Sequence, residues 1–156
     1  GIPRNMSDEM LRALAARGGA VFINFNTAYL DPAASAVFEK MRGERDREIA
    51  ETMARNAGNP RRWEMRRAIQ RRYKARLPEV GIPAVLRHID HAVKTAGVDH
   101  VGIGSDFDGA VTTTFDASEL AALTQALMDQ GLTDGQIAKI MGANMVRFLQ
   151  TALPPG

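Results

Sequence analysis

The chain has 156 residues, 45% of them hydrophobic and 24% charged, with net charge +2 and no cysteine. That is enough for one domain with its own core, and the balance excludes intrinsic disorder, collagen-like repeats, a disulfide framework and any thiolate chemistry. No apolar run approaches the roughly 18 residues that span a bilayer. The Lys and Arg excess lies almost wholly in residues 61–76, which hold eight basic residues and one acid, so the rest of the chain is mildly acidic and a nucleic-acid reading is weak.

The elements follow in chain order. Ser7 as cap, Asp8 and Glu9 at the positive end of the dipole, and Leu11, Leu14 and Ala15 as a stripe predict a helix over 7–17, stopped by Gly18-Gly19. Residues 20–25 form a nearly continuous apolar run, the pattern of a strand covered on both faces. Asp31-Pro32 opens a helix, and the alternating charges of 43–55 continue it on an exposed face until Gly58-Asn59-Pro60. A basic helix over 61–76 follows. Its arginine pairs at 61/62, 66/67 and 71/72 step about 140° round the axis, so they are expected to spread over the surface or to pair with the acids of 39–51.

A helix from Pro83 to Ala96 carries the stripe Val85, Leu86, Ile89, Ala92 and Val93. The second strand, 100–105, runs into Ser105-Asp106-Phe107-Asp108-Gly109. Asp116 with Glu119, and Thr133 with Gln136, read as capping boxes for helices over 117–130 and 133–141, and a last helix runs from Asn144 to Ala152 before Pro154-Pro155. The order is α/β with only two strands, both of buried parallel character, and two such strands do not make a stable sheet. Either the domain is mainly helical with a minor sheet, or the strands belong to a larger barrel or open sheet.

Asp106 sits at the carboxyl end of a parallel strand, where α/β proteins place ligands and catalytic groups, and the carboxylates at 106 and 108 suit a hard cation or proton transfer. His88 and His91 share a helix face, but that face carries packing residues and no third ligand lies near in sequence, so they read as structural. His100, at the opposite end of its strand from Asp106, reads the same way. Arg4 taken alone reads as an exposed loop arginine.

Together, Pro3-Arg4-Asn5-Met6-Ser7-Asp8-Glu9, Gly18-Gly19 with Val21-Phe22-Ile23-Asn24-Phe25, His88-Ile89-Asp90-His91, the 100–109 segment, and Gly142-Ala143-Asn144 with Arg147 resemble the C-terminal part of the membrane dipeptidase (renal dipeptidase) family of zinc peptidases. The resemblance covers nearly all the chain outside 32–78, which reads as a helical insertion. It implies the C-terminal part of a (β/α)8 barrel of the amidohydrolase type, with these two strands as the seventh and eighth and six more outside the sequence. It implies two zinc ions and a bridging hydroxide that attacks the peptide bond of a dipeptide. By the same resemblance Asp106 contacts zinc and accepts the proton of the attacking water, Arg4 binds the substrate's C-terminal carboxylate, and Tyr29 lines the pocket. The remaining ligands, including the family's His-x-Asp pair, are expected upstream of Gly1; the His-x-Asp letters at 88–90 fall on a helix and are not that pair.

The expected partners are therefore a dipeptide and the part of the barrel that supplies the other strands, with homo-oligomerisation possible. Nucleic acid and membrane segments are not expected, and any targeting signal would lie upstream. The competing reading is a non-catalytic helical domain that uses the basic helix 61–76 to contact an acidic partner.

Overall fold

The computed structural model describes residues 2, 4–107 and 111–154. Pro3, Asp108, Gly109 and Pro155, which carry parts of the expectations above, lie outside them. Two three-residue strands, β1 (Val21–Ile23) and β2 (Val101–Ile103), pair in parallel with the register Val21 to Val101, Phe22 to Gly102 and Ile23 to Ile103. Both are shorter than the stretches 20–25 and 100–105. Ahead of β2, Val98–His100 winds into a 3₁₀ turn. Beyond β1, the Asn24 side chain accepts the Asn26 N–H at 2.7 Å and turns the chain out of the ladder. Phe25 and Thr27 then bond instead to the segment 112–114, through Thr114 N–H to Phe25 O (3.0 Å) and Thr27 N–H to Thr112 O (2.9 Å).

The glycines of the second strand have a steric reason. A Cβ on Gly102 would lie 2.7 Å from the Phe22 ring, and one on Gly104 would lie 2.9 Å from Phe22 Cβ and 3.3 Å from its carbonyl oxygen. Phe22 thus packs flat across β2 where any side chain would hold it off.

Helix starts follow their caps. Ser7 accepts from Met10 N–H at the head of α1 (Asp8–Ala16), and Gly18 at φ 75° ends that helix. Asn26 caps α2 (Thr27–Leu30), a short turn with no apolar period to announce it. Asp31 accepts from Ala34 N–H at 2.9 Å and opens α3 (Pro32–Arg55), a single 24-residue helix that passes through Gly43 unbroken. The basic segment is α4 (Arg62–Lys74), and α5 (Ile82–Ala96) buries the expected stripe Val85, Leu86, Ile89 and Ala92 before Gly97 at φ 91°. Asp116 caps a 3₁₀ turn that leads into α6 (Leu120–Asp129), its carboxylate taking the Ser118 N–H and hydroxyl. No bond from Glu119 back to the cap is seen among the described residues, so that expected box is a single-sided cap. The Thr133 and Gln136 box is formed, and the helix it starts is short: α7 (Asp134–Ala138) passes through a π-type turn broken at Gly142 into α8 (Asn144–Ala152).

The main core lies between the sheet, α5, α6 and the 139–143 turn, with Phe25, Val85, Ile89, Val101, Leu123, Leu127 and Ile140 almost wholly buried; each such side chain contributes about 1.5–3 kcal/mol. Buried Asn144 donates to the carbonyls of Val98 (2.7 Å) and Val101 (2.8 Å), fixing the start of α8 to the start of β2. A separate cluster of Met41, Ile69 and Tyr73, flanked by Val37, Ile49 and Leu77, joins α3 to α4. Along that hairpin Arg72 bonds Glu48, Tyr73 donates to Glu48 at 3.2 Å, and Arg76 lies 3.7 Å from Glu44, as the sequence predicts for the acids of 39–51. The sheet has two strands, so each keeps one edge without a partner strand among the described residues. None of the described helices is long and apolar enough to cross a membrane.

Gly104→Ala is expected to destabilise the protein by about 1–3 kcal/mol through the clash with Phe22. Gly43→Ala, with open space around a Cβ in mid-helix, is expected to stabilise it by about 0.5–1 kcal/mol; denaturant unfolding checks both signs. The Arg72 hydrogen bond holds the Glu48 carboxyl below its ordinary value of 4.5. The resulting stabilisation is full above that value and fades as pH falls through the lower folded-state value. Glu48→Gln should therefore destabilise the hairpin at pH 7 and converge on the parent stability in acid, read from unfolding curves across pH 7 to 3.

Candidate active site

The parallel pairing brings the exits of both strands to one end of the sheet. Asp106, three residues past β2, adopts the left-handed conformation at φ 65°, the one non-glycine residue with positive φ among those described. Its neighbour Phe107 anchors that backbone, with its ring 5.6 Å from Phe25 and 6.3 Å from Phe115 and edge-on to both. Asn24, the first residue past β1, donates its amide N–H to Asp106 Oδ2 at 2.9 Å. Because Asn24 Oδ1 also accepts the Asn26 N–H, the amide is fixed at both ends and holds the carboxylate in one place. The sequence reading gave Asn24 no role of its own. Its signal was Asn-x-Asn just past an apolar strand, two side chains able to cap backbone amides.

On the other side of β1, the Arg4 guanidinium lies 5.4 Å from the centre of the Tyr29 ring, a cation–π distance. Asn5 donates to the Tyr29 carbonyl at 2.9 Å, tying the loop before α1 to α2. Arg4, Tyr29 and Asn24 line a cavity of about 270 Å³. Asp106 lines a larger one of about 920 Å³, opposite α3 and α4. The Asn24–Asp106 bond links the two, so Arg4 and Tyr29 stand in one chamber and Asp106 in the next.

The histidines keep structural roles. His88 Nε2 contacts the Leu30 carbonyl at 3.1 Å and holds the end of α2 on α5; His91 Nε2 contacts Asp8 at 2.8 Å; His100 Nδ1 contacts the Gly19 carbonyl at 2.7 Å. Among the described residues no three His, Cys, Asp or Glu side chains converge to hold a metal. Asp106 is a hard oxygen donor suited to one position on a cation, and a zinc site needs several such ligands. The described residues thus do not compose a metal site by themselves.

The basic residues of α4 divide as expected between an exposed face and the acids of α3: Arg72 pairs with Glu48, while Arg66 and the exposed Arg67, Arg71 and Lys74 border the larger cavity. At 100° per residue these four fall within an arc of about 140°.

The sequence profile of the membrane dipeptidase family, peptidase family M19, matches residues 1–153. The chain belongs to that family. An uncharacterised protein in the pqqA 5′ region of Klebsiella pneumoniae is 27% identical over 150 residues, which is 95% of this chain and 41% of that protein. The structure is similar to that of the probable dipeptidase PvdM from Pseudomonas aeruginosa, with TM-score 0.65, 26% identity, and 93% of this chain and 40% of that one covered. It is also similar to a metallo peptidase from Rhodobacter sphaeroides liganded with a phosphinate mimic of the dipeptide L-Ala-D-Ala, with TM-score 0.62 and 27% identity, covering 96% of this chain and 32% of that one. The M19 resemblance read from the motifs is therefore borne out. The match takes in the two parallel strands and their helices, and this chain spans about two fifths of the length of the relatives it matches, or less.

Left-handed backbone costs a residue with a Cβ about 1–2 kcal/mol, which Asp partly offsets with its short polar side chain. Asp106→Gly is expected to be about 1 kcal/mol more stable than Asp106→Ala. Equal melting of the two variants would show that the backbone there is unstrained.

Proposed function

We propose that this M19 chain furnishes the carboxyl-end residues of two strands of a zinc dipeptidase barrel, with the other strands and metal ligands supplied from outside the chain and 32–78 an inserted hairpin over the site. The observation that carries the reading is the Asn24–Asp106 hydrogen bond at the strand exits, with Arg4 and Tyr29 in the adjoining chamber. Asp106 would hold one coordination position of the zinc, which supplies Lewis acidity when bound.

Within that site the chain's own groups divide the work. The Asp106 carboxylate accepts the proton of the attacking water and returns it to the leaving amine. Arg4 takes the substrate's C-terminal carboxylate through two parallel N–H bonds, which fixes the scissile carbonyl relative to Asp106. Tyr29 supports the Arg4 guanidinium by its ring face and closes one wall. Asn24 keeps the Asp106 carboxylate from rotating while the proton moves.

In the complete, metal-loaded protein, hydrolysis of L-Ala-L-Ala and L-Ala-D-Ala should be chelator-sensitive and fall about 100-fold or more in Asp106→Asn. Arg4→Lys should raise KM more than it lowers kcat, since an ammonium cannot reproduce the two-bond clamp. The purified 156-residue chain alone should neither retain zinc through dialysis nor hydrolyse either dipeptide. Chelator-sensitive, Asp106-dependent activity in the isolated chain would overturn the requirement for outside ligands. Activity in the complete protein that survives Asp106→Asn would overturn the role given to Asp106.

A further inference from the structure

We propose that α4 presents a basic wall to the Asp106 chamber and selects dipeptides whose N-terminal residue carries a carboxylate side chain. The inference rests on the dipeptidase reading and adds a substrate class to it.

The wall is sorted by charge. On the α3 side of the basic segment, Arg72 and Arg76 are engaged by Glu48 and Glu44. On the cavity side, Arg66, Arg67, Arg71 and Lys74 form no ion pair among the described residues, and Arg66 Nε is buried with no acceptor. The described acids around the same cavity do not answer them. Asp46 is taken by Arg45 at 2.8 Å, Asp116 by the Ser118 N–H and hydroxyl, and Asp106 by Asn24. Of the eight charged residues lining the cavity among the described residues, five are basic and three acidic, a surplus of two positive charges. A concave, partly apolar wall focuses such a surplus on whatever enters.

The position of the acid follows from the two chambers. With the C-terminal carboxylate at Arg4 and the scissile bond at Asp106, the C-terminal residue occupies the smaller chamber. The N-terminal residue then extends into the larger one, toward α4. A carboxylate there meets guanidinium groups, which pair with it bidentately and are weakly hydrated, so little is lost in binding. Neutral side chains leave the wall unpaired, and a lysine side chain is repelled.

The test compares kcat/KM for L-Glu-L-Ala and L-Gln-L-Ala in the complete zinc-loaded protein. We expect a preference of about tenfold or more for the glutamyl dipeptide in low salt, shrinking as ionic strength rises. The R67Q/R71Q/K74Q variant, with its melting curve as the folding control, should bring the ratio close to one. The single reversal R71E takes the described lining from a surplus of two positive charges to none and should abolish the glutamyl preference, so the wall is tested even where the triple variant does not fold. Hydrolysis of both dipeptides at equal rates overturns the basic wall and leaves the dipeptidase reading standing. A preference for L-Ala-L-Glu over L-Ala-L-Gln with none at the N-terminal position overturns the assigned orientation. If neither is hydrolysed the dipeptidase reading falls, and calorimetric titration with L-Glu-L-Ala and L-Gln-L-Ala decides the wall. Tighter, salt-sensitive binding of the first supports it, and equal binding overturns it.

Discussion

The contact on which the rest depends is Phe22 laid across Gly102 and Gly104. It lets a ladder of only three residues per strand hold two segments about eighty residues apart in the chain, and it sets their register. With that register the strand exits lie side by side. Asn24 and Asp106, 82 positions apart, then meet at 2.9 Å without a long side chain having to reach. A one-residue slip would turn Phe22 away from the glycines and place a different residue opposite Asp106. Steric fit at the sheet and polar geometry at the site are thus one constraint, and the aromatic trio of Phe25, Phe107 and Phe115 secures it from the core side.

The hairpin of α3 and α4 is held differently. Its internal cluster is small, and its ion pairs with Glu44 and Glu48 are largely exposed, a setting in which such pairs contribute little. What aims it over the site is α2. Asn26 caps that short helix, His88 holds its last carbonyl to α5, and a single residue, Asp31, separates it from α3 while capping α3 in turn. The direction of a 24-residue helix is therefore decided by three hydrogen-bonding side chains, two of them shortly after the strand exit and the third on α5. The same stretch carries Tyr29, so the position of the pocket wall and the position of the basic helix are mechanically coupled.

What could be read from the sequence was what depends on local chemistry. Ser7, Asp31 and Thr133 cap the helices they announce, because a cap is decided within four residues; the α5 stripe is buried as its 3.6 period requires. Strand lengths were overestimated because apolar content cannot show where hydrogen bonds end, and Asn24 redirects the chain while Phe25 stays buried. Gly43 and Gly142 look alike in sequence, yet the first rides inside α3 and the second breaks the helix at φ 166°. The break at Gly142 lies two residues before Asn144, which is fixed to the carbonyls of Val98 and Val101. Of the residues of the proposed site, Asp106 is suggested by its place after a strand, and the loop arginine at position 4 only by the family resemblance. Asn24 and the stripe of α4 are not, since one depends on pairing across 82 residues and the other on which helix face the satellite cluster claims.

On the proposed reading, the exposed apolar surface and the shortage of metal ligands among the described residues have the same geometric origin. Val21, Phe22 and Ile23 are only half-buried although their side chains suit a strand covered on both faces, and among the described residues each strand has an open edge. Met145, Val146 and Leu149 of α8, with Leu153 beyond it, are exposed on a helix whose other face is fixed to β2 by Asn144. Strands added at those edges would cover the apolar residues and bring further strand ends level with Asp106, where parallel sheets place their functional groups. On the proposed reading, the burial that would stabilise this unit and the ligands that would complete its chemistry arrive on the same elements. Folding of the closed sheet and assembly of the metal site then become a single event, in which Asp106, already positioned by Asn24, contributes the one ligand that needs no further rearrangement.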